Sequence, residues 1–146
     1  MTTVTQAKDD LAQLFSDAWL ADPLSENIIV FYDKSSESEG QKDASKSWVR
    51  FTIKHLDGGF SKASLSGSGG ERIYHRDGVV HINIFTPVQK SINTDSALTS
   101  IVLNAFEGKA TPGGVWVRSV SFAEAGVSGA WFQTNIKAKF NYSECK

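Results

Sequence analysis

The chain has 146 residues, with 15 basic side chains against 16 acidic ones for a net charge of −1, and it is 40% apolar and 11% aromatic. That balance excludes a disordered chain, and 12 Gly, 3 Pro and one Cys exclude a collagen-like repeat or a small disulfide scaffold. No run approaches the roughly 18 apolar residues of a membrane span, and the opening MTTVTQAKDDLAQLF has neither the basic start nor the apolar stretch of a signal peptide, so a single cytoplasmic domain over residues 1–146 is expected.

The first predicted element is a helix. Val4, Leu11, Phe15, Ala18 and Trp19, with Leu14 beside them, recur at helical spacing; Thr5 is the expected N-cap, and the stop falls at Ala21-Asp22-Pro23. A β-rich run follows over 28–32. Residues 33–46 (DKSSESEGQKDASK) then hold a single apolar residue and read as a flexible, solvated loop. Residues 47–56 alternate Val49, Phe51 and Ile53 with Trp48, Arg50, Thr52 and Lys54, the period of a half-buried strand. The Gly-rich stretch 58–70 brackets a short strand or loop, and Arg76-Asp77-Gly78 has the composition of a tight turn.

The run 79–86 alternates again, with Val80, Ile82 and Ile84 on one face and His81, Asn83 and Phe85 on the other. A second helix is predicted over about 95–107, lined by Leu98, Ile101, Val102, Ala105 and Phe106, capped by Thr94 and ended by Gly108. Two strands close the chain, at 115–122 and 129–142. The latter sets Phe132, Ile136, Ala138 and Phe140 against Trp131, Gln133, Asn135, Lys137 and Lys139. Strands with one polar face belong to antiparallel or mixed sheets. The expected class is therefore α+β: one domain in which an antiparallel or mixed sheet carries both helices on one face.

The charge is uneven. Residues 1–46 hold four Lys against nine Asp and Glu, or −5, and residues 47–146 hold eleven basic against seven acidic, or +4. Near-neutrality overall excludes a broad phosphate-gripping surface, whereas an acidic end and a basic body suit self-association. No motif for chemistry is found. GSGGER lacks the Lys-Ser/Thr of a P-loop, His55, His75 and His81 lack metal-ligand spacing, no Gly-x-Ser-x-Gly elbow is present, and Cys145 lies in a polar tail. No catalytic residue, metal or cofactor is assigned. What stands out is aromatic and basic decoration of strands: Trp48, Arg50 and Lys54; Trp116 and Arg118; Trp131, Lys137 and Lys139.

Three stretches taken together carry a resemblance. They are Trp48-Val49-Arg50-Phe51-Thr52-Ile53, the run 64–87 with Arg72, Arg76, Gly78, Phe85 and Pro87, and Trp131-Phe132-Gln133-Thr134-Asn135-Ile136 ending in Phe140-Asn141-Tyr142. With the helix closing at Phe106-Glu107-Gly108, the order resembles the tail terminator-like proteins of long-tailed bacteriophages, in the lambda-type group. The likeness runs from Ile28 to Tyr142, and the departure is the long loop 33–46.

That resemblance implies a structural virion protein and not an enzyme. It implies a homo-oligomeric ring of about six subunits that caps the tail tube, ends its polymerisation and offers a surface for head–tail joining. Its implied partners are other copies of itself, the major tail tube protein and a head-completion or neck protein. No membrane and no sequence-specific nucleic acid is implied, although DNA passes through the ring. The implied location is the head-proximal end of the tail, after assembly in the host cytoplasm. Candidate interface residues are Arg72, Arg76, Trp48, Arg50 and Lys62. The alternatives are a neck or head-completion protein on the portal side and, in a different class, a small α+β ligand-binding or enzyme domain using the three histidines.

Overall fold

A computed structural model of the chain describes residues 2–22, 30–31, 47–56, 64–65, 72–90 and 92–145. The flexible loop expected at 33–46, Lys62, and the Gly-rich stretch 58–70 apart from Ser64 and Leu65 lie outside the described residues. Helix α1 covers Val4–Ala21 and starts two residues earlier than the sequence suggests. Thr3, with extended backbone, is the N-cap, and its hydroxyl accepts the Gln6 N–H at 3.2 Å. Thr5 therefore lies inside the helix. The buried stripe is Ala7, Leu11, Phe15 and Trp19, and Val4, read as part of it, is 40% exposed. The stop is where it was expected, at an extended Asp22 before proline.

Among the described residues four strands precede the second helix: β1 (Val30–Phe31), β2 (Trp48–His55), β3 (Ser64–Leu65) and β4 (Arg72–Pro87). Helix α2 follows over Ile92–Phe106, then β5 (Trp116–Ser128) and β6 (Trp131–Cys145). Helix α2 also begins early, so Thr94 sits within its first turn and does not cap it. Asp95 in that turn accepts the Thr86 hydroxyl, which ties the helix start to β4. Gly108, at φ 65°, ends the helix as the sequence indicates, because a residue with a Cβ is strained in that left-handed conformation.

The strands form one six-stranded sheet in the order β1-β2-β4-β6-β5, with β3 paired to β4 off that path. β1 is parallel to β2 and every other pair is antiparallel, so the sheet is mixed. The fold is α+β, as expected.

The strand register corrects one reading. Arg76-Asp77-Gly78 is not a turn: β4 runs unbroken for 16 residues and pairs with β6 from Ile73↔Cys145 to Pro87↔Trp131. Gly78 sits opposite Phe140 and opposite His55, and a Cβ there would lie 2.6 Å from the Lys54 carbonyl oxygen and 2.7 Å from Phe140 Cε1. The glycine makes room for an aromatic ring inside a strand, and turn composition does not distinguish that use from a bend.

One face of the sheet receives both helices. Val49, Phe51 and Ile53 of β2, Val80, Ile82 and Ile84 of β4, and Ile136, Ala138 and Phe140 of β6 form a single core with α1 and α2. Phe15 is the keystone of that core. Its ring stacks on Phe51 at 4.9 Å, on Trp19 at 5.6 Å and on Phe106 at 6.3 Å, joining both helices to the sheet.

Candidate functional site

The period-2 geometry of a strand sends alternate side chains through the sheet, so the residues that do not face the helices share the other face. The register places Trp48, Arg50 and Lys54 of β2 and Trp131, Lys137 and Lys139 of β6 together there. Trp116 of β5 joins them, opposite Asn141. Arg118 is the extra residue at a bulge between Val117 and Ser119. Its Nε donates to Asn141 Oδ1 at 3.1 Å, and its guanidinium lies 5.2 Å from the Trp116 ring centre, which holds it over the same face. All eight aromatic and basic residues that the sequence singles out on three separate strands thus meet on one surface. No described helix covers it.

That surface is graded from one end to the other. At one end Trp48 stacks on Phe85 at 4.1 Å and meets the Trp131 ring edge-on at 6.3 Å. Packing leaves Trp48 only 6% exposed, and its indole N–H finds no acceptor among the described residues. Next comes an amide ladder. Arg50 Nε donates to Asn83 Oδ1 at 3.1 Å, Asn83 Nδ2 donates to Asn135 Oδ1 at 2.6 Å, and Gln133 Nε2 donates to the same oxygen at 2.7 Å. The Arg50 guanidinium also lies 5.6 Å from the Phe85 ring centre.

Beyond the ladder lie exposed Lys54, Lys137 and Lys139, around a half-buried His81. Burial, and then the charges of Lys137 and Lys54, hold the His81 pKa below its ordinary value. Among the described residues, five fixed cations (Arg50, Lys54, Arg118, Lys137 and Lys139) occupy this face against one carboxylate, Asp77.

The remaining candidates divide. Arg76 faces the helix side, where its Nε meets Glu144 Oε2 at 3.1 Å and its guanidinium lies 5.7 Å from the Tyr74 ring centre. It is held by its own chain. Arg72 opens β4, opposite Leu65 of β3.

The three histidines do not come together. His55 is on the helix side, within 2.6 Å of the Tyr142 hydroxyl and edge-on to the Phe140 and Tyr142 rings. Burial, and then the positive charges of Lys8 and Arg76, lower its pKa; burial raises that of Tyr142. His75 and His81 lie on the opposite face, and His75 Nδ1 pairs with Ser143 Oγ at 2.9 Å. Among the described residues no three His, Cys, Asp or Glu side chains gather as metal ligands, and no helix is long and apolar enough to cross a membrane.

Sequence reasoning missed the amide ladder. Asn83, Gln133 and Asn135 are ordinary polar strand residues until the register sets them side by side. It also missed the far end of β5, which runs past 122 to Ser128 with Val127 68% exposed.

No protein-family model matches the chain, and no curated protein does. Among solved structures, one chain of 14% identity superposes with a TM-score of 0.66, over 97% of this chain and 96% of its own length. At that identity the likeness establishes the fold alone.

Proposed function

We propose that this is a structural assembly protein that caps the tail tube of a long-tailed phage as a ring, ends tube polymerisation and presents a surface for head–tail joining. The observation that carries the reading is the two-sidedness of the sheet. One face is closed by both helices, and the other, which no described helix covers, is basic and aromatic, with Trp116 52% exposed. A subunit with two unlike surfaces suits the heterologous contacts that close into rings, whereas a two-fold dimer matches a surface with itself. The resemblance in motif order described above supplies the biological setting. The proposed partners are other copies of the chain, the tail tube protein and a neck or head-completion protein, and the proposed place is the head-proximal end of the tail.

Two measurements test this. Light scattering across a concentration series, with negative-stain imaging, is expected to find a closed ring near 95 kDa for about six copies of 15.9 kDa each. Added to growing tail tubes, the protein is expected to fix their length. A two-fold dimer that leaves tube length unlimited would overturn the reading. Binding to portal-bearing heads without an effect on tubes would transfer the protein to the portal side of the neck.

A further inference from the structure

The bare sheet face has a counterpart on the same molecule. Helix α1 carries Asp9, Asp10 and Asp17 against Lys8 alone, and α2 carries Asp95 and no cation. The layer opposite the basic face is therefore acidic. Asp9 and Asp17 project to solvent on α1, and Leu20 on the same helix is 49% exposed. On the sheet face, Lys54, Lys137 and Lys139 make no salt bridge with any carboxylate among the described residues. Trp116 stands beside Arg118, and Trp and Arg are the residue types that anchor interfaces.

We propose that the bare sheet face of one copy seats the acidic outer surface of α1 of the next copy, head to tail. The two patches lie on opposite sides of one subunit, so neither meets itself and each copy offers one of each. That arrangement is heterologous.

The dimensions suit the role. Four strands about 4.8 Å apart and about eight residues long at 3.3 Å per residue give a face of roughly 20 Å by 26 Å, about 500 Å² in projection. Traced over long side chains, it approaches the ~800 Å² per partner that specific association uses. Placing Asp9 and Asp17 against Lys137 and Lys139 supplies opposite charge at the rim, and Leu20 supplies apolar surface for Trp116. This inference rests on the ring reading and names its subunit contact.

Charge reversal in two separate chains tests it. A face variant, Lys137→Glu with Lys139→Glu, and a helix variant, Asp9→Lys with Asp17→Lys, are each expected to weaken self-association at least about a hundredfold in sedimentation at low salt. Mixed in equal amounts, the two variants are expected to regain the wild-type assembly, because every junction then joins opposite charges. Circular dichroism and melting of each variant alone verify folding. The neutral pair Lys137→Gln with Lys139→Gln, which leaves strand polarity intact, is expected to fall between wild type and the reversals.

Three results overturn the contact. They are a wild-type protein that stays monomeric up to about 100 µM at low salt, a face variant that assembles normally, and a mixture of folded variants that fails to recover. If the second of these is accompanied by loss of DNA binding in the face variant, the face is assigned to a polyanion. Tube length is scored separately with wild-type protein, so that a cap held together by other surfaces is told apart from a protein that is no cap.

Discussion

Gly78→Ala is expected to destabilise the protein by about 2 kcal/mol, through overpacking alone. Gly78 is not among the glycines with positive φ, so its backbone accepts alanine and the objection is steric. The new methyl group would lie 2.6 Å from the Lys54 carbonyl oxygen and 2.7 Å from Phe140 Cε1, and closer still to Phe140 Cζ. Ordinary carbon contacts sit at about 3.5–4.0 Å, so a neighbour must retreat by roughly 1 Å.

Neither neighbour is free to do so. The carbonyl is backbone of β2, held against β4 by the pairing of Lys54 with Val79 and His55 with Gly78, and the Phe140 ring, 2% exposed, is held edge-on to His55 at 5.6 Å and parallel to Tyr142 at 6.3 Å. Overpacking of this kind costs about 1–3 kcal/mol, and removing glycine from the unfolded chain returns about 0.4–1. The upper end of the cost applies here because one of the colliding atoms is backbone. Urea unfolding should show a lower midpoint at unchanged slope, with a melting temperature down by about 5–10 °C. Adding Phe140→Leu, which retracts the ring edge, should give a double variant at least about 1 kcal/mol more stable than the sum of the single effects requires. Stability within about 0.5 kcal/mol of wild type, or strict additivity, would refute the reasoning.

Thr3→Ala is expected to cost about 1 kcal/mol through loss of the α1 cap, with Thr5→Ala costing a few tenths at most; chemical unfolding of the two variants side by side decides which threonine caps. Trp48→Phe is expected to stay within about 1 kcal/mol of wild type, because it removes a buried N–H that lacks an acceptor among the described residues while keeping the stack on Phe85, whereas Trp48→Ala should lose about 3–5 kcal/mol. A melting series in which Trp48→Phe fell as far as Trp48→Ala would contradict this. Stability is also expected to depend on pH through His55 and His81, whose folded pKa values lie below the ordinary 6.5. The unfolded chain takes up these protons first, so stability is full above about pH 6.5 and falls as the pH drops toward the folded values. His55→Gln should be less stable at pH 7.5 yet show a shallower decline to pH 5.5, which denaturant midpoints at the two pH values would reveal.

Much of this architecture is legible because burial imprints a period on the sequence. Val49, Phe51 and Ile53, and again Ile136, Ala138 and Phe140, alternate with polar neighbours because one face meets helices and the other does not. The stripe Leu11, Phe15, Trp19 follows from the same cause at helical spacing. Where burial stops, so does the signal. Beyond Val120, β5 carries exposed residues on both faces, and the strand continues to Ser128 without any alternation to announce it. Local chemistry misled where a distant residue decides the outcome. Arg76-Asp77-Gly78 has turn composition, and only Phe140, 62 positions away, explains a glycine in a strand. Likewise Trp48 lies on the polar-patterned face but is buried, because Phe85 and Trp131 close over it. The candidate surface was legible as fragments, since which strand neighbours which is not written in any one of them.

The position of β6 within the sheet sets a timetable. It is made after every other described element yet lies between β4 and β5, so both strands leave the ribosome without their shared neighbour. During synthesis β4 has β2 and β3 to pair with, and β5 has none of the described strands. The pairing that completes the sheet spans from Ile73 to Cys145, a separation that slows folding and defers it until β6 has been made. Lys137 and Lys139 arrive on that strand, and Arg118 is fixed in place by Asn141 of the same strand. A partly made chain therefore carries its acidic first helix complete but the basic residues of the sheet face only in part and on strands not yet joined, so the surface that would receive a neighbour is assembled last.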